Sequence, residues 1–405
     1  MSAMRPIRET IPLEQALKLL LEATVPIART ERVPLAEAHG RVLAAAAVSS
    51  VDVPPFDRAA MDGYAVIAED TFGASRSDPR TLRRVGTVFT GEVASRSLTR
   101  AECMEIATGA PVPPGADAVV MVEETEQAGS DLVRILTPVY PRQHIGRRAA
   151  DIAAGQTILR QGDLLNPSRV GALAATGLAE IEVFARPRVA VLSTGNEIIE
   201  PGRPLSPGQI YDINRFTLSA VIQEQGAIPV PLQTAADDLD DLTAAVLAAG
   251  DADVLVFSGG SSVGERDLVL DVLQQMGVVI FHGIAVKPGK PTAFGRIGRT
   301  PVLGMPGYPT SCLSNAYILL VPLLRRMGRL PEHAPRRARL PLARRIVSPT
   351  GRHQFYTVAV TDDGVVPAFK ASGDITSMSQ ADGYIEIPTH TDIVEAGEIV
   401  EVKFF

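Results

Sequence analysis

The stretch DADVLVFSGGSSVGERDLVLDVLQQMG, residues 251–277, runs from an apolar strand through a loop of glycine and serine into an amphipathic helix. Glycine-rich turns of this kind commonly bind phosphate, because backbone N–H groups converge there at the positive end of the next helix. The loop lacks the Gly-Lys-Ser/Thr ending of an ATP-binding P-loop, and the chain contains no Gly-x-Gly-x-x-Gly. The stretch therefore predicts a strand, an anion-binding loop and a helix.

Strands and helices alternate at the same spacing on both sides of this stretch. From Arg188 the predicted order is strand RVAVLSTG, helix INRFTLSAVIQEQG, strand AIPVPLQTA, helix DLDDLTAAVLAAG, strand DVLVFSGG, helix DLVLDVLQQMG, strand VVIFHGIAV, the hairpin PTAFGRI–TPVLGMPG, and a helix from about Pro309 to Met327. Such alternation indicates βαβ units with right-handed crossovers. We therefore predict a doubly wound, mostly parallel α/β domain.

The rest of the chain is rich in short strands and turns, with few helices. An amphipathic helix is expected over 12–25, and another with its cap near Asn166. The predicted fold class is thus α/β and β multidomain. Its predicted parts are a segmented N-terminal domain (1–50 and 146–187), an inserted β-rich domain (51–145), the α/β domain (188–330) and a small C-terminal β-barrel (331–405).

Composition narrows the classes of function. The 405 residues are 46% hydrophobic and 21% charged, which is typical of a globular protein of two to four domains. A net charge of −7 argues against a general nucleic-acid binder and means that an anionic small molecule needs locally gathered cations. Two cysteines are too few for a disulfide framework, MSAMRPIRET lacks a signal-peptide core, and the apolar run at AYILLVPLL is too short to span a membrane. We expect a cytoplasmic protein with no membrane association.

Four loops are expected at the carboxyl edge of the predicted sheet, where doubly wound domains bind their ligands. They are STGNEI (193–198), the glycine-serine loop described above, KPGKP (287–291) and MPGYPTS (305–311). Any one of these loops, taken alone, could be explained as a tight turn. Their convergence on one edge predicts a binding site.

Lys287 and Lys290 flank a stiff Pro-Gly turn in the third of these loops. They form either a solvated hairpin corner or a cationic clamp for an oxyanion, which an acidic protein requires.

The carboxylates of the same edge also allow two interpretations. Asp267 either caps the following helix or holds magnesium, with Glu197 and Asp237 or Asp238 as further oxygen donors. His282, in an apolar strand, is expected to be a core histidine. The sequence shows neither a Cys/His cluster for structural zinc nor a Ser-His-Asp spacing for a hydrolytic triad.

Seven motifs then occur in a family-specific order: FDRAAMDGYAV, TGAPVPPGADAVVMVE, STGNEI, GQIYDINR, GGSSVGERD, KPGKP and GMPGYPTS. Over essentially its whole length the chain resembles the molybdopterin molybdenumtransferases, the MoeA and gephyrin E-domain family. The resemblance implies the same four-part architecture and an elongated homodimer. The active cleft would lie between the α/β domain of one subunit and β-rich parts of its partner.

The resemblance also implies a reaction. Molybdate and adenylylated molybdopterin are the substrates, the metal is inserted at the dithiolene, and AMP is released with the help of magnesium. Molybdopterin adenylyltransferase and the apoproteins of molybdoenzymes are the further implied partners.

Site residues follow from the matched motifs. The implied catalytic residues are Asp267, Lys287, Lys290, Asp62 and Glu197. The resemblance implies magnesium at Asp267, and the expected metal ligands are therefore Asp267 with the oxygen donors Glu197 and Asp237. The implied cofactor-binding residues are Thr108, Asp151, Ser193, Thr194, Asp212, Asn214, Ser258, Gly259, Gly260, Ser262, Pro306, Ser311, Arg352 and Ser372. Of these, Asp62, Thr108 and Asp151 match positions on the partner's side of the cleft.

The chain departs from the family pattern at four positions. Asn196 stands where aspartate is usual, Tyr308 where asparagine is usual, and Ala149 and Ala150 replace a Gly-Glu pair. These changes leave a second hypothesis, a divergent molybdopterin-binding or scaffold paralogue with weak or no insertase activity. A third hypothesis is adenylyl transfer to molybdopterin, which a related α/β domain performs. The long β-rich region and the C-terminal barrel favour the insertase.

Overall fold

A computed structural model of the chain describes residues 9–236, 238–259, 268–348 and 351–405. The chain divides into two compact units. The first comprises Met1–Glu31, Gly40–Val42 and Phe184–Phe405, and the second comprises Arg32–His39 and Leu43–Val183. This division is coarser than the four predicted domains, whose boundaries stay a prediction.

The first unit contains a six-stranded sheet. Its strand order is Ile228–Pro231, Arg188–Ser193, Val254–Ser258, Thr300–Met305, Ala293–Ile297 and Val278–His282. The first four strands are parallel, whereas the last two pair antiparallel with their neighbours. The predicted hairpin is therefore present, and its second strand lies inside the parallel part of the sheet.

Helices cover both faces of this sheet. Val189 and Val191 pack on one face and Ala190 and Leu192 on the other, so successive residues of one strand enter two separate cores. Burial on both faces explains why the strands are continuously apolar in sequence. The helices on the first face are Leu13–Ala23, Asn214–Glu224, Pro309–Asn315 and Val321–Met327, and those on the second are Leu239–Ala248 and Leu268–Met276.

The predicted closing helix is interrupted. A π-helical turn over Ala316–Leu320 separates its two α-helical parts and ends two residues before Pro322. Proline cannot donate to a carbonyl four residues back, so the hydrogen-bond spacing of the helix changes at this point. In the part of the chain that the structure describes, no helix is both long and apolar enough to cross a bilayer.

The C-terminal part of the first unit is a β domain. One sheet path has the order Val286–Lys287, His353–Thr361, Gly383–Ile387, Ile399–Phe404 and Arg337–Pro341; Gly364–Pro367 pairs with His353–Thr361, and Ile346–Val347 pairs with Ile393–Val394. A bridge between Leu342, directly after Arg337–Pro341, and Val365 of Gly364–Pro367 joins the last strand of this path back to the strand that pairs with His353–Thr361. The sheet therefore closes on itself, as expected of a small barrel. A short helix, Thr376–Ser379, completes the domain.

Glu386 of this barrel lies between a lysine and a histidine side chain. Its carboxylate lies 2.7 Å from Lys403 Nζ and 3.6 Å from His353 Nε2. Burial raises the pKa of Glu386, but the hydrogen bond and charge of Lys403, together with the nearby His353 imidazole, outweigh it and lower this pKa to about 2. Because the folded-state pKa is depressed, the resulting stabilisation is present above the unfolded-state pKa of about 4.5 and is lost as the pH falls toward 2.

We therefore expect Glu386→Gln to lower the free energy of unfolding by about 1–3 kcal/mol at pH 7. The difference from the parent chain should shrink between pH 5 and pH 2, as measured by urea unfolding. Glu401→Gln is the matched control, because the ion pair of Glu401 with Arg337 is exposed. An undiminished difference at pH 2 would contradict the electrostatic explanation.

The second unit is built around another six-stranded sheet. Its order is Ala118–Met121, Gly63–Val66, Glu102–Ile106, Arg80–Val88, Leu132–Ile135 and Thr125–Gln127. Its helix Pro167–Ala175 begins as predicted, because Asn166 Oδ1 accepts a hydrogen bond from Arg169 N at 2.9 Å. The remaining elements are the strand pairs Thr30–Pro34 with Glu180–Phe184, Ala47–Val48 with Thr157–Leu159 and Arg58–Ala59 with Ile145–Gly146, and the 3-10 turns Leu35–Glu37, Ala68–Thr71 and Val122–Glu124.

Candidate active site

Three of the predicted loops start side by side at the carboxyl edge of the α/β sheet. Ser193 is in register with Ser258, and Ser258 with Met305, at the last residues of adjacent parallel strands. Parallel strands end at a common edge, so the segments that follow them begin within one small region.

Buried polar atoms are concentrated beyond this edge. Among the described residues, Ser193 Oγ, Thr194 Oγ1, Asp212 Oδ2 and Asn214 Oδ1 are buried and have no hydrogen-bond partner. Polar atoms buried in a native structure are normally bonded, so such a cluster marks a place where a ligand or another polar group completes the bonding. Arg215 Nε lies 3.7 Å from Asp212 Oδ2 and contributes positive charge.

The backbones of these loops approach one another closely. A Cβ atom at Gly259, whose φ is +101°, would lie 2.6 Å from Thr194 O and 2.9 Å from Thr194 Oγ1. A Cβ atom at Gly307 would lie 3.5 Å from the Cα of Gly259. Asn214 Nδ2 also donates to Gly307 O at 2.8 Å. Glycine is therefore required at position 259 to bring these loops together.

The one cysteine near this edge is not a nucleophile. Cys312 is fully buried, and its Sγ lies 3.9 Å from Ser258 Oγ. Burial, aided by the negative charge of Asp212, raises the pKa of the Cys312 thiol to about 12 despite the hydrogen bond with Ser258. A thiol with this pKa stays protonated at neutral pH and packs as a small apolar group.

The KPGKP turn is fixed by its own backbone. The carbonyl of Lys290 accepts hydrogen bonds from Ile284 N at 3.1 Å and Thr292 N at 3.0 Å. Asn315, from the helix Pro309–Asn315, donates through Nδ2 to Gly289 O at 3.0 Å. Both lysine side chains are half-buried. The turn is therefore a packed structure and not a solvated corner.

The C-terminal barrel contacts the same region of the first unit. His353 N donates to Ala285 O at 2.9 Å, next to Arg352. Thr310 N donates to Ser372 O at 3.1 Å, one residue before Ser311. The predicted residues Arg352 and Ser372 thus belong to segments that hydrogen-bond to the KPGKP turn region and to the start of the helix Pro309–Asn315. Pro306 is buried directly after the strand Thr300–Met305.

In the second unit, two predicted residues are joined. Thr108 N donates to Asp62 Oδ1 at 2.7 Å, and both residues are exposed. Asp151 is exposed as well, and its N donates to Val53 O at 3.0 Å. The assignment of these three residues to the partner's side of a cleft stays a prediction.

Four predicted site residues, Asp237, Gly260, Ser262 and Asp267, lie outside the described residues. As oxygen donors, Glu197, Asp237 and Asp267 suit magnesium chemically, but only the exposed Glu197 is described. Asp238, the predicted alternative to Asp237, caps the helix Leu239–Ala248 by accepting from Asp240 N at 2.8 Å. Within the described ranges no three acidic, histidine or cysteine side chains form a metal-binding group.

Comparison with known proteins accounts for this arrangement. The chain matches the family models MoeA N-terminal region (domain I and II) over residues 11–177, probable molybdopterin binding domain over 190–326 and MoeA C-terminal region (domain IV) over 339–405. It is 38% identical over 381 residues to molybdopterin molybdenumtransferase 2 of Mycobacterium tuberculosis, covering 91% of this chain and 94% of that protein. The molybdopterin molybdenumtransferase of Haemophilus influenzae is 33% identical over 405 residues, covering 98% of both chains.

The chain belongs to the MoeA family.

Solved structures of MoeA proteins confirm the predicted fold class. A MoeA structure from Pyrococcus horikoshii superimposes with a TM-score of 0.85 at 41% identity, covering 98% of this chain and 99% of that one. A second structure from the same organism has a TM-score of 0.82 at 31% identity and covers 98% and 100%. The resemblance inferred from the seven motifs is thereby confirmed.

The departures from the MoeA pattern have different physical settings. Tyr308 is 68% exposed and precedes the helix Pro309–Asn315, and Asn196 is also exposed. Ala149 has a φ of +58°, in the left-handed region that favours glycine. The glycine that the resemblance implies at this position would adopt this conformation without strain, whereas Ala149 carries strain there.

We expect Ala149→Gly to stabilise the chain by about 0.5–1 kcal/mol, because removing Cβ relieves this strain. Urea unfolding measures the effect. Ala150→Gly is the matched control, because Ala150 is not among the residues with positive φ. This variant should lose a few tenths of a kcal/mol of stability, because glycine gives the unfolded chain greater freedom. Equal destabilisation by both changes would contradict the strain at position 149.

One residue at this edge was missed by the sequence analysis. Asn315 is fully buried and contacts the KPGKP turn. Its signal in the sequence is an asparagine within the apolar helical run SCLSNAYILL, where a polar side chain needs internal partners.

Proposed function

We propose that the chain is a molybdopterin molybdenumtransferase of molybdenum cofactor biosynthesis. In this reaction the chain binds adenylylated molybdopterin and molybdate, inserts the metal at the dithiolene and releases AMP. Membership of the MoeA family supports this function, as do the names of its relatives. The structural observation that carries it is the cluster of buried polar atoms at the carboxyl edge of the α/β sheet, which have no hydrogen-bond partner among the described residues.

The proposed roles follow from the chemistry of the side chains. Ser193, Thr194 and Asn214 offer hydroxyl and amide groups to the nucleotide part of the substrate, beside the loop that begins at Gly259. Lys287 and Lys290 hold an oxyanion, since molybdate presents only oxygen acceptors and ammonium groups donate to them. Ser311, Arg352 and Ser372 are further donors to molybdate or to the pterin phosphate.

Magnesium is proposed as the resident metal, with Glu197, Asp237 and Asp267 as its ligands. When bound, it would neutralise phosphate charge during AMP release. Chelation by EDTA, followed by return of magnesium, tests this requirement. AMP release that is insensitive to EDTA would contradict it.

A homodimer in the cytoplasm is proposed as the working form, with molybdopterin adenylyltransferase and molybdoenzyme apoproteins as transient partners. Asp62, Thr108 and Asp151 would then complete the site of the partner subunit. Light scattering that shows a stable monomer at micromolar concentration would contradict a shared cleft.

One assay tests the proposed activity against its alternatives. Adenylylated molybdopterin is supplied with magnesium, with and without molybdate, and both AMP and molybdenum in the pterin product are quantified by mass spectrometry. Molybdate-dependent release of AMP is expected. Nucleotide binding without turnover would instead identify a scaffold protein, and formation of adenylylated molybdopterin from ATP would identify an adenylyltransferase.

A further inference from the structure

We propose that Asn315 is a positioning residue that sets the shape of the Lys287–Lys290 turn and so determines the affinity for the oxyanion substrate. The inference rests on the proposed role of the two lysines as an oxyanion clamp. Asn315 itself contacts no reacting atom in this proposal. It acts through the backbone of the turn.

Three polar groups form a closed arrangement beneath the turn. Asn315 Nδ2 donates to Gly289 O at 3.0 Å and to Thr292 Oγ1 at 2.6 Å. Thr292 Oγ1 in turn donates to Gly289 O at 2.9 Å. The hydroxyl hydrogen of Thr292 is therefore committed to Gly289, and the hydroxyl oxygen accepts from Asn315. This arrangement fixes which end of the carboxamide faces the turn.

Because these groups are buried, the loss of any one of their hydrogen bonds is costly. Asn315 and Thr292 are both fully buried, so water cannot replace a lost hydrogen bond without a rearrangement of the core. Asn315 Oδ1 has no hydrogen-bond partner among the described residues. The Asn315 side chain is therefore held by its two donated hydrogen bonds, to Gly289 O and to Thr292 Oγ1, and both bonds support the turn.

The backbone of the turn also depends on the shape of this carboxamide. Gly289 has a φ of +108°, and a Cβ atom there would overlap Asn315 Oδ1 and lie 2.5 Å from Nδ2 and 2.7 Å from Cγ. The turn therefore rests directly on the amide plane of Asn315. Because Gly289 lies between Lys287 and Lys290, a shift of this peptide changes the separation and direction of both ammonium groups. Anion binding by two cations is sensitive to such changes in geometry.

The test is a double-mutant cycle with Asn315→Leu and Thr292→Val. Leucine keeps the branched shape of asparagine without its donors, and valine keeps the shape of threonine without its hydroxyl. Each single variant is expected to raise the apparent KM for molybdate by at least about fivefold, as loss of one buried hydrogen bond predicts. The apparent KM for adenylylated molybdopterin should change by less than about twofold, because that substrate's binding is not limited by the lysine turn.

Coupling between the two positions is the second readout. The double variant should raise the molybdate KM no more than the larger single effect, since both side chains act on Gly289 O as one unit. Thr24→Val is the matched control: it removes another buried hydroxyl of the first unit, which donates to Leu20 O at 2.7 Å, and should leave both KM values unchanged. If Asn315→Leu does not fold, Thr292→Val alone still tests the same prediction.

The outcomes separate this inference from the function on which it rests. If Lys287→Gln/Lys290→Gln leaves the molybdate KM unchanged, the clamp itself is wrong. If that variant raises the molybdate KM but Asn315→Leu and Thr292→Val do not, the lysines act without this positioning and the inference is overturned. Equal rises in both substrate KM values would also overturn it, because they would indicate a general loss of structure.

Discussion

Replacing Lys287 and Lys290 together by glutamine is expected to raise the molybdate concentration needed for half-maximal AMP release by at least about tenfold. Both ammonium groups lie in a half-buried turn, where charge-assisted hydrogen bonds to an oxyanion are only partly screened by solvent. The melting temperature should change by less than about 2 °C, because the change removes no apolar packing of the kind that dominates stability. Initial rates at varied molybdate and a thermal melt measure the two effects.

The turnover of the lysine variant at saturating molybdate tests whether the lysines have a second role. Turnover should recover only in part if the lysines also stabilise negative charge on the departing phosphate. Lys18→Gln/Arg337→Gln is the matched control, because it removes two exposed positive charges of the same unit away from the turn. Normal turnover with an unchanged molybdate dependence in the lysine variant would move the molybdate site elsewhere, while the family assignment would stand.

Gly259→Ala is expected to abolish detectable AMP release and to lower the free energy of unfolding by at least about 2 kcal/mol. The new Cβ atom would meet the backbone oxygen of Thr194 at 2.6 Å, and the alanine would also have to keep a φ of +101°. A backbone atom cannot move aside as a flexible side chain can. The loop that begins at Gly259 must therefore separate from the segment that carries Ser193 and Thr194. Urea unfolding and AMP release measure the two losses.

Gly298→Ala isolates the contribution of backbone conformation to this loss. Gly298 lies in the turn of the hairpin, has a φ of +59°, and has no atom within 4 Å of the position of a Cβ. It should lose about 1 kcal/mol from the left-handed conformation alone and keep normal turnover. If Gly259→Ala proved as mild as Gly298→Ala, the close approach of the loops would not be a requirement of the site.

The α/β domain could be predicted well from the sequence, because its signals are local. Apolar strands such as Val254–Ser258 end in glycine-rich turns, and the helices between them show their own periodicity. The convergence of loops at one edge then follows from the parallel arrangement of the strands. Ser193, Ser258 and Met305 indeed end in register.

Other features depend on contacts between distant parts of the chain, which periodicity does not encode. The helix Leu13–Ala23 was predicted, but its packing against the core that contains Val189 and Phe294 was not. The network beneath Gly289 was also missed, since Asn315 and Thr292 are brought together only by the tertiary fold. Asp238 caps its helix, a local role that the sequence did not suggest, since this carboxylate was interpreted only as an alternative metal ligand.

The pairing of Val286–Lys287 with His353–Gln354 has a consequence for biosynthesis of the chain. Domains generally fold as units while the N-terminal parts emerge first from the ribosome. The strand that flanks the lysine turn can be paired only after the C-terminal barrel has been translated, and that barrel closes only when Ile399–Phe404 joins its sheet. A nascent chain that lacks this barrel would therefore carry a folded α/β domain in which the lysine turn, the proposed oxyanion clamp, is not yet paired. The proposed capture of molybdate would therefore require translation through Ile399–Phe404.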